Sequence, residues 1–167
     1  MDPPPSTLAV DSQGRILAGL DGKSPTITIH DHDDIDKKSK FATKGEPRSL
    51  AITSKGDIVV ASHVIMLTTK NIVEVMDYHG NNIRIAKPPQ EASRWVPTNI
   101  CCSQQGEIFV LNWGDKSVYR YTADGDRCLG RIISGLDDPR GIDITEDGRK
   151  LYIVEYQKAV VKIFHRS

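Results

Sequence analysis

The stretch HDHDDIDKK, residues 30–38, sets two histidines and four aspartates within seven residues. Imidazoles and carboxylates at that density are donor chemistry for an ion: His30 and His32 could hold zinc or nickel, and the aspartates suggest a calcium loop. The calcium reading fails on spacing, because the central glycine and the closing glutamate of such a loop are missing. Nucleophilic and phosphate chemistry find less: the chain has no GxSxG, no HExxH and no phosphate loop. What occupies the same place elsewhere in the chain decides the reading of residues 30–38.

Four stretches share one pattern: PSTLAVDSQGRILAG from Pro5, PRSLAITSKGDIVVAS from Pro47, PTNICCSQQGEIFVLN from Pro97 and PRGIDITEDGRKLYIVE from Pro139. Each runs from proline through an alternating apolar segment, a polar turn with glycine and a second apolar segment. The turn glycines Gly14, Gly56, Gly106 and Gly148 are 42, 50 and 42 residues apart, as are the prolines. The alternation and the turns are hairpin signatures. A third strand follows in every unit (TITIHD, NIVEVMD, SVYRYT, AVVKIF), and the first three units carry a fourth near residues 36–43, 82–87 and 127–133. Four antiparallel strands at this period describe a β-propeller blade. The expected fold is therefore all-β, a single propeller domain over residues 1–167 with blades at about 5–43, 47–90, 97–134 and 139–167. On this register HDHDDID is the turn between third and fourth strands, where Asp tolerates the bend and solvates the loop. No metal and no cofactor is expected.

The chain has 167 residues with 22 basic and 22 acidic side chains, so no global charge draws it to nucleic acid or a membrane surface. No apolar run approaches a membrane span, and MDPPPSTLAV has no basic region followed by an apolar core, so no secretory signal is expected. Cys101, Cys102 and Cys128 are odd in number and form no CxxC, which suggests a reducing, cytoplasmic setting. The adjacent pair should point to opposite faces of a strand as small apolar residues.

DPRGIDITEDGRKLYIVEYQKAVVKIF resembles an NHL repeat, with proline, glycine, an Ile-Asp strand, an Asp-Gly turn and a strand ending in an aromatic. The second and third units fit with Ser49 and Asn99 in place of the glycine, and the first is the most diverged. A WD-repeat reading is weaker, since no Gly-His to Trp-Asp pairing appears. The resemblance extends to the C-terminal propellers of tripartite-motif proteins. It implies a non-catalytic recognition head for protein partners or RNA stem-loops in a ubiquitin ligase system. The RING domain that would transfer ubiquitin has no counterpart here, because the cysteines and histidines lack paired zinc spacings.

Six such blades need roughly 250 residues, and this sequence holds four units, the last ending after its third strand. MDPPP cannot supply the missing strand, because proline donates no backbone hydrogen bond. An open arc is the favoured expectation, a small closed ring the alternative, and an open end invites self-association.

In a propeller the loop before the first strand and the loop joining second to third strands share one face, and ligands sit on such loops. That face carries Arg48, Thr98, Asn99 and Arg140, then His63, Asn112, Trp113, Lys116, Tyr156, Gln157 and Lys158. Cations mixed with aromatics suit base stacking and phosphate contact, although Arg140 would equally serve an ion pair with a neighbouring carboxylate. The longer second unit adds an apolar run, Val64, Ile65, Met66 and Leu67, which is a protein-contact loop if exposed and a longer hairpin if buried. Asp11 and Asp143 are read as following the first strands of their units, with Thr53 and Ser103 at the matching places. No symmetric acidic centre is then expected.

Overall fold

The computed structural model describes residues 4–31, 33, 34, 38–64 and 70–166. These residues form strands and turns, with no helix among them. Blade 1 contains β1 (Pro5–Val10), β2 (Ile16–Leu20), β3 (Thr26–His30) and β4 (Lys38–Ala42). Blade 2 contains β5 (Glu46–Ile52), β6 (Ile58–Val64), β7 (Lys70–Met76) and β8 (Asn82–Ala86). Blade 3 contains β9 (Pro97–Cys102), β10 (Ile108–Asn112), β11 (Ser117–Tyr121) and β12 (Cys128–Ile133). Blade 4 has three strands, β13 (Pro139–Ile144), β14 (Lys150–Glu155) and β15 (Val160–His165). Each blade is an antiparallel meander in chain order. β1 packs on β5, β5 on β9 and β9 on β13, and the series ends there, so the described residues form an open arc of propeller blades.

One turn recurs in every blade. Gly14, Gly56, Gly106 and Gly148 all have positive φ, between 70° and 90°. A side chain there would be strained, and glycine is not. Each glycine donates its N–H to the carbonyl three residues earlier, on Asp11, Thr53, Ser103 and Thr145. The side-chain oxygens of those four residues accept the amides of Arg15, Asp57, Glu107 and Lys150. Local Asp, Thr and Ser bonds of this kind are why such residues start turns. This register corrects one expectation: Asp143 lies inside β13 opposite Tyr152. Thr145 is the residue that matches Asp11, Thr53 and Ser103.

The core lies between blades. Strand alternation gives each blade a front face toward the next blade and a back face toward the previous one. Leu17, Ile27 and Ile29 of blade 1 meet Leu50, Ile58, Val60 and Met76 of blade 2. Val59, Val73 and Val75 meet Ile100, Ile108, Val110, Tyr119 and Tyr121 of blade 3. Phe109, Leu111 and Val118 meet Ile142, Leu151 and Ile153 of blade 4. Full burial of one such aliphatic side chain contributes about 1.5–3 kcal/mol, against roughly 0.2–1 kcal/mol for an exposed ion pair. The blade faces therefore carry the stability. Cys101 packs in the junction of blades 3 and 4 and Cys102 against the junction of blades 2 and 3, on opposite faces of β9. Burial pushes the Cys102 thiol up to about 12 and the Cys101 thiol well above its ordinary value, so neither is a thiolate near neutrality.

Glu74 interrupts this apolar pattern. Its side chain is fully buried on β7, and one carboxylate oxygen, Oε1, has no hydrogen-bond partner. The Lys44 ammonium stays 3.9 Å away. Burial raises the carboxyl above 4.5, partly opposed by the Lys44 amide and ammonium. The folded chain thus holds this proton more readily than the unfolded chain, so the contribution of Glu74 to stability is fully present below 4.5 and is lost as pH rises through the higher folded value. Glu74→Gln is expected to raise stability at pH 7 by about 1 kcal/mol, with the gain vanishing toward pH 4. Urea unfolding at both pH values checks this.

Candidate functional site

Two polar sites flank the arc. The first is a cleft of about 490 Å3 on the side of the β1–β2, β5–β6 and β9–β10 turns, lined by Asp11, Arg15, Thr53, Tyr78 and Ser103 among others. Its one buried carboxylate is already engaged. Asp11 accepts Arg15 Nε at 2.6 Å, the Tyr78 hydroxyl at 2.9 Å and the amides of Gln13 and Arg15. The Arg15 guanidinium lies 4.2 Å from the centre of the Tyr78 ring. Burial raises the Asp11 carboxyl, but the bonds from Arg15, Tyr78 and Gln13 outweigh it and hold the group below its ordinary value. Burial, then Asp11, push Tyr78 up to about 12. The cluster ties blade 1 to blade 2, and Thr53 and Ser103 are occupied as turn caps.

The second site is on the opposite face, where the chain enters blade 4. Asp138 is held in the left-handed region at φ 46°. Its carboxylate accepts Trp113 Nε1 at 2.9 Å and ion-pairs with Arg140 at 3.0 Å. The Arg140 guanidinium lies 5.9 Å from the ring centre of the exposed Tyr156, within cation–π reach. Asp137 pairs with Lys158 at 3.2 Å and Lys116 at 3.9 Å. Beneath them the buried Glu155 accepts the Asp137 amide and the Lys162 ammonium, each at 2.8 Å. Burial raises the Glu155 carboxyl, and Lys162 and the Asp137 amide more than reverse that, leaving it ionised.

The structure thus brings together Trp113, Lys116, Arg140, Tyr156 and Lys158 of the residues expected on this face. The others are placed apart from them or used internally. Arg48 pairs with Glu46 at 3.0 Å. His63 Nδ1 faces Asn71 Oδ1 at 2.8 Å. The Thr98 hydroxyl lies 3.5 Å from the Leu111 carbonyl. Asn99 accepts the Ile142 amide and so links blade 3 to blade 4. Asn112 is fully buried, accepts the Val96 amide and donates to Arg94 O and Asp115. Gln157 is exposed. Val64 ends β6 opposite Lys70, while Ile65, Met66 and Leu67 lie outside the described residues. In the opening stretch, His30 Nε2 lies 3.0 Å from the Thr28 hydroxyl and His32 lies outside the described residues. Among the described residues no group of three His, Cys, Asp or Glu is placed to hold an ion.

Asp137, Asp138 and Glu155 escaped the sequence reading. The signal was present in GLDDPRG, an acidic pair directly before the blade proline. Nothing local shows that Trp113 and Lys116, from the neighbouring blade, converge on it.

No family model matches the chain, and no curated protein does. Solved structures do match in fold. Hydrazine synthase of Kuenenia stuttgartiensis superposes with a TM-score of 0.74 at 13% identity, over 98% of this chain and 59% of that one. Virginiamycin B lyase of Staphylococcus aureus gives 0.68 at 17% identity, over 99% and 57%. A gluconolactonase of Xanthomonas campestris gives 0.68 at 13% identity, over 89% and 52%. These are β-propeller proteins, and the chain has a β-propeller fold. It spans a little over half of their length.

Two expectations follow. Asn112→Ala strands the Val96 amide and the Arg94 carbonyl and is expected to cost about 1–3 kcal/mol in denaturant unfolding. The Trp113 hydrogen bond, then Arg140, hold Asp138 below its ordinary value of 3.8. The stability this adds is present above 3.8 and is lost as pH falls through the lower folded value. Tryptophan emission is expected to change in that acid window, and Asp138→Asn, whose side chain tolerates the backbone, is expected to abolish the change.

Proposed function

We propose that this chain is a non-catalytic recognition module whose loop face binds a protein partner. It would be the NHL-type part of a tripartite-motif-like ubiquitin ligase system. The observation that carries the reading is the cluster at blades 3 and 4. An exposed Tyr156 and a pre-positioned Arg140 stand beside Trp113, and the cations are matched by Asp137 and Asp138. Tyr, Trp and Arg on a rigid base are the side chains that dominate protein interfaces. Arg48, Arg140, Lys116 and Lys158 each have a carboxylate partner. That compensation suits a partner surface of mixed charge better than a phosphate backbone, whose binding draws on uncompensated cations. The Pro-Arg-Gly-Ile-Asp strand and Asp-Gly turn of blade 4 support the NHL-type assignment.

Two measurements test this reading together. A partner captured from cells by the wild-type chain is expected to lose about tenfold or more in affinity to Tyr156→Ala and Arg140→Ala, the size of an interface hot spot. A labelled random RNA pool at two salt concentrations is expected not to bind. Salt-sensitive RNA binding that falls when Arg48 and Arg140 are replaced together would make the module an RNA reader instead.

A further inference from the structure

The two ends of the arc expose positions that every internal junction buries. Leu8, on the back face of blade 1, is 60% exposed, whereas Leu50, Ile100 and Ile142 at the same place in later blades are 6%, 4% and 7% exposed. Val10 beside it is also exposed. Val161, on the front face of blade 4, is 58% exposed, whereas Ile27, Val73 and Val118 at the same place in earlier blades are fully buried. The equivalence rests on register: Val154 pairs with Val161 and Tyr152 with Ile163, as Ala61 pairs with Val73 and Val59 with Val75. Val154 and Ile163 are exposed on that same face. These side chains are a front face without a following blade and a back face without a preceding one.

We propose that a second copy of this chain covers both ends. The front face of blade 4, with Tyr152, Val154, Val161 and Ile163, packs on Leu8 and Val10 of the partner's blade 1. The reciprocal contact closes two arcs into one two-fold ring. The choice of occupant rests on the chain itself. Each end is the counterpart of the other, and front-on-back packing of aliphatic side chains is what already joins blades 1 to 2, 2 to 3 and 3 to 4. A head-to-tail contact repeated once with two-fold symmetry leaves no end open, whereas without closure it would run on as a filament. Two arcs bring eight blades, within the roughly four to eight that propellers use. The junctions of blades 2 with 3 and 3 with 4 also carry a side-chain tether: Ser49 accepts the Ile100 amide and Asn99 the Ile142 amide. Gly141 stands at that place in blade 4 and has no side chain to offer, so the new junction rests on apolar packing alone.

Sedimentation equilibrium of the full chain at high micromolar concentration is expected to give twice the chain mass, with no dissociation in high salt. Leu8→Lys and Val161→Lys, both at exposed positions, are each expected to give monomers that keep the strand circular dichroism signal. Mixing the two variants restores one unaltered junction and is expected to restore a dimer. A wild-type monomer overturns the proposal. A dimer that survives Leu8→Lys overturns it in favour of two blade-4 faces meeting each other. A wild-type filament, or a mixture that stays monomeric, also overturns it.

Discussion

The arc depends on the contact of one blade's front face with the next blade's back face. Each blade is too thin to bury its own apolar side chains, because both faces of a single sheet are open. Valine, isoleucine and leucine at alternating positions give every sheet two apolar faces. Only stacking removes both from water. The side-chain bonds from Ser49 to the Ile100 amide and from Asn99 to the Ile142 amide then set the register of one first strand against the next.

This arrangement dictates where function can sit. The strands and junctions are committed to packing, and the turns between first and second strands are committed to their own Asp, Thr and Ser caps. Loops on the opposite face have no such duty once a second-strand residue anchors them. Asn112 anchors residues 94–96, and Glu155 anchors Asp137. The result is a rigid base under Trp113, Arg140 and Tyr156. Preorganisation of this kind lowers the entropy lost when a partner binds. On this face Arg48, Lys116, Arg140 and Lys158 are each matched by a carboxylate, that of Glu46, Asp137 or Asp138.

Much of this was legible in the residues. The 42- and 50-residue spacings of proline and turn glycine announce blades, and Gly14, Gly56, Gly106 and Gly148 do adopt the positive φ that the turn requires. The opposite orientation of Cys101 and Cys102 follows from strand alternation alone. The candidate site was legible only in part. Trp113 and Arg140 were visible as loop residues, but Asp138, which joins them, escaped the sequence reading. Asn112 and Asn99 looked like ligand-facing amides, and the fold spends both on its own backbone. Asp143 was misaligned because the aspartate of GIDIT was read as the end of its strand, whereas counting six residues from the proline or three back from the turn glycine gives Asp11, Thr53, Ser103 and Thr145.

The sequence by itself determined the repeat, the strand order within a blade and the turn geometry, because each is set by contacts a few residues apart. Tertiary structure decided the charge balance of the loop face, the burial of Glu74 and the exposure of Leu8 and Val161. These depend on which blade lies next to which. Leu8 and Leu50 are the same residue at the same repeat position, and only the presence of a preceding blade separates a core side chain from a surface one.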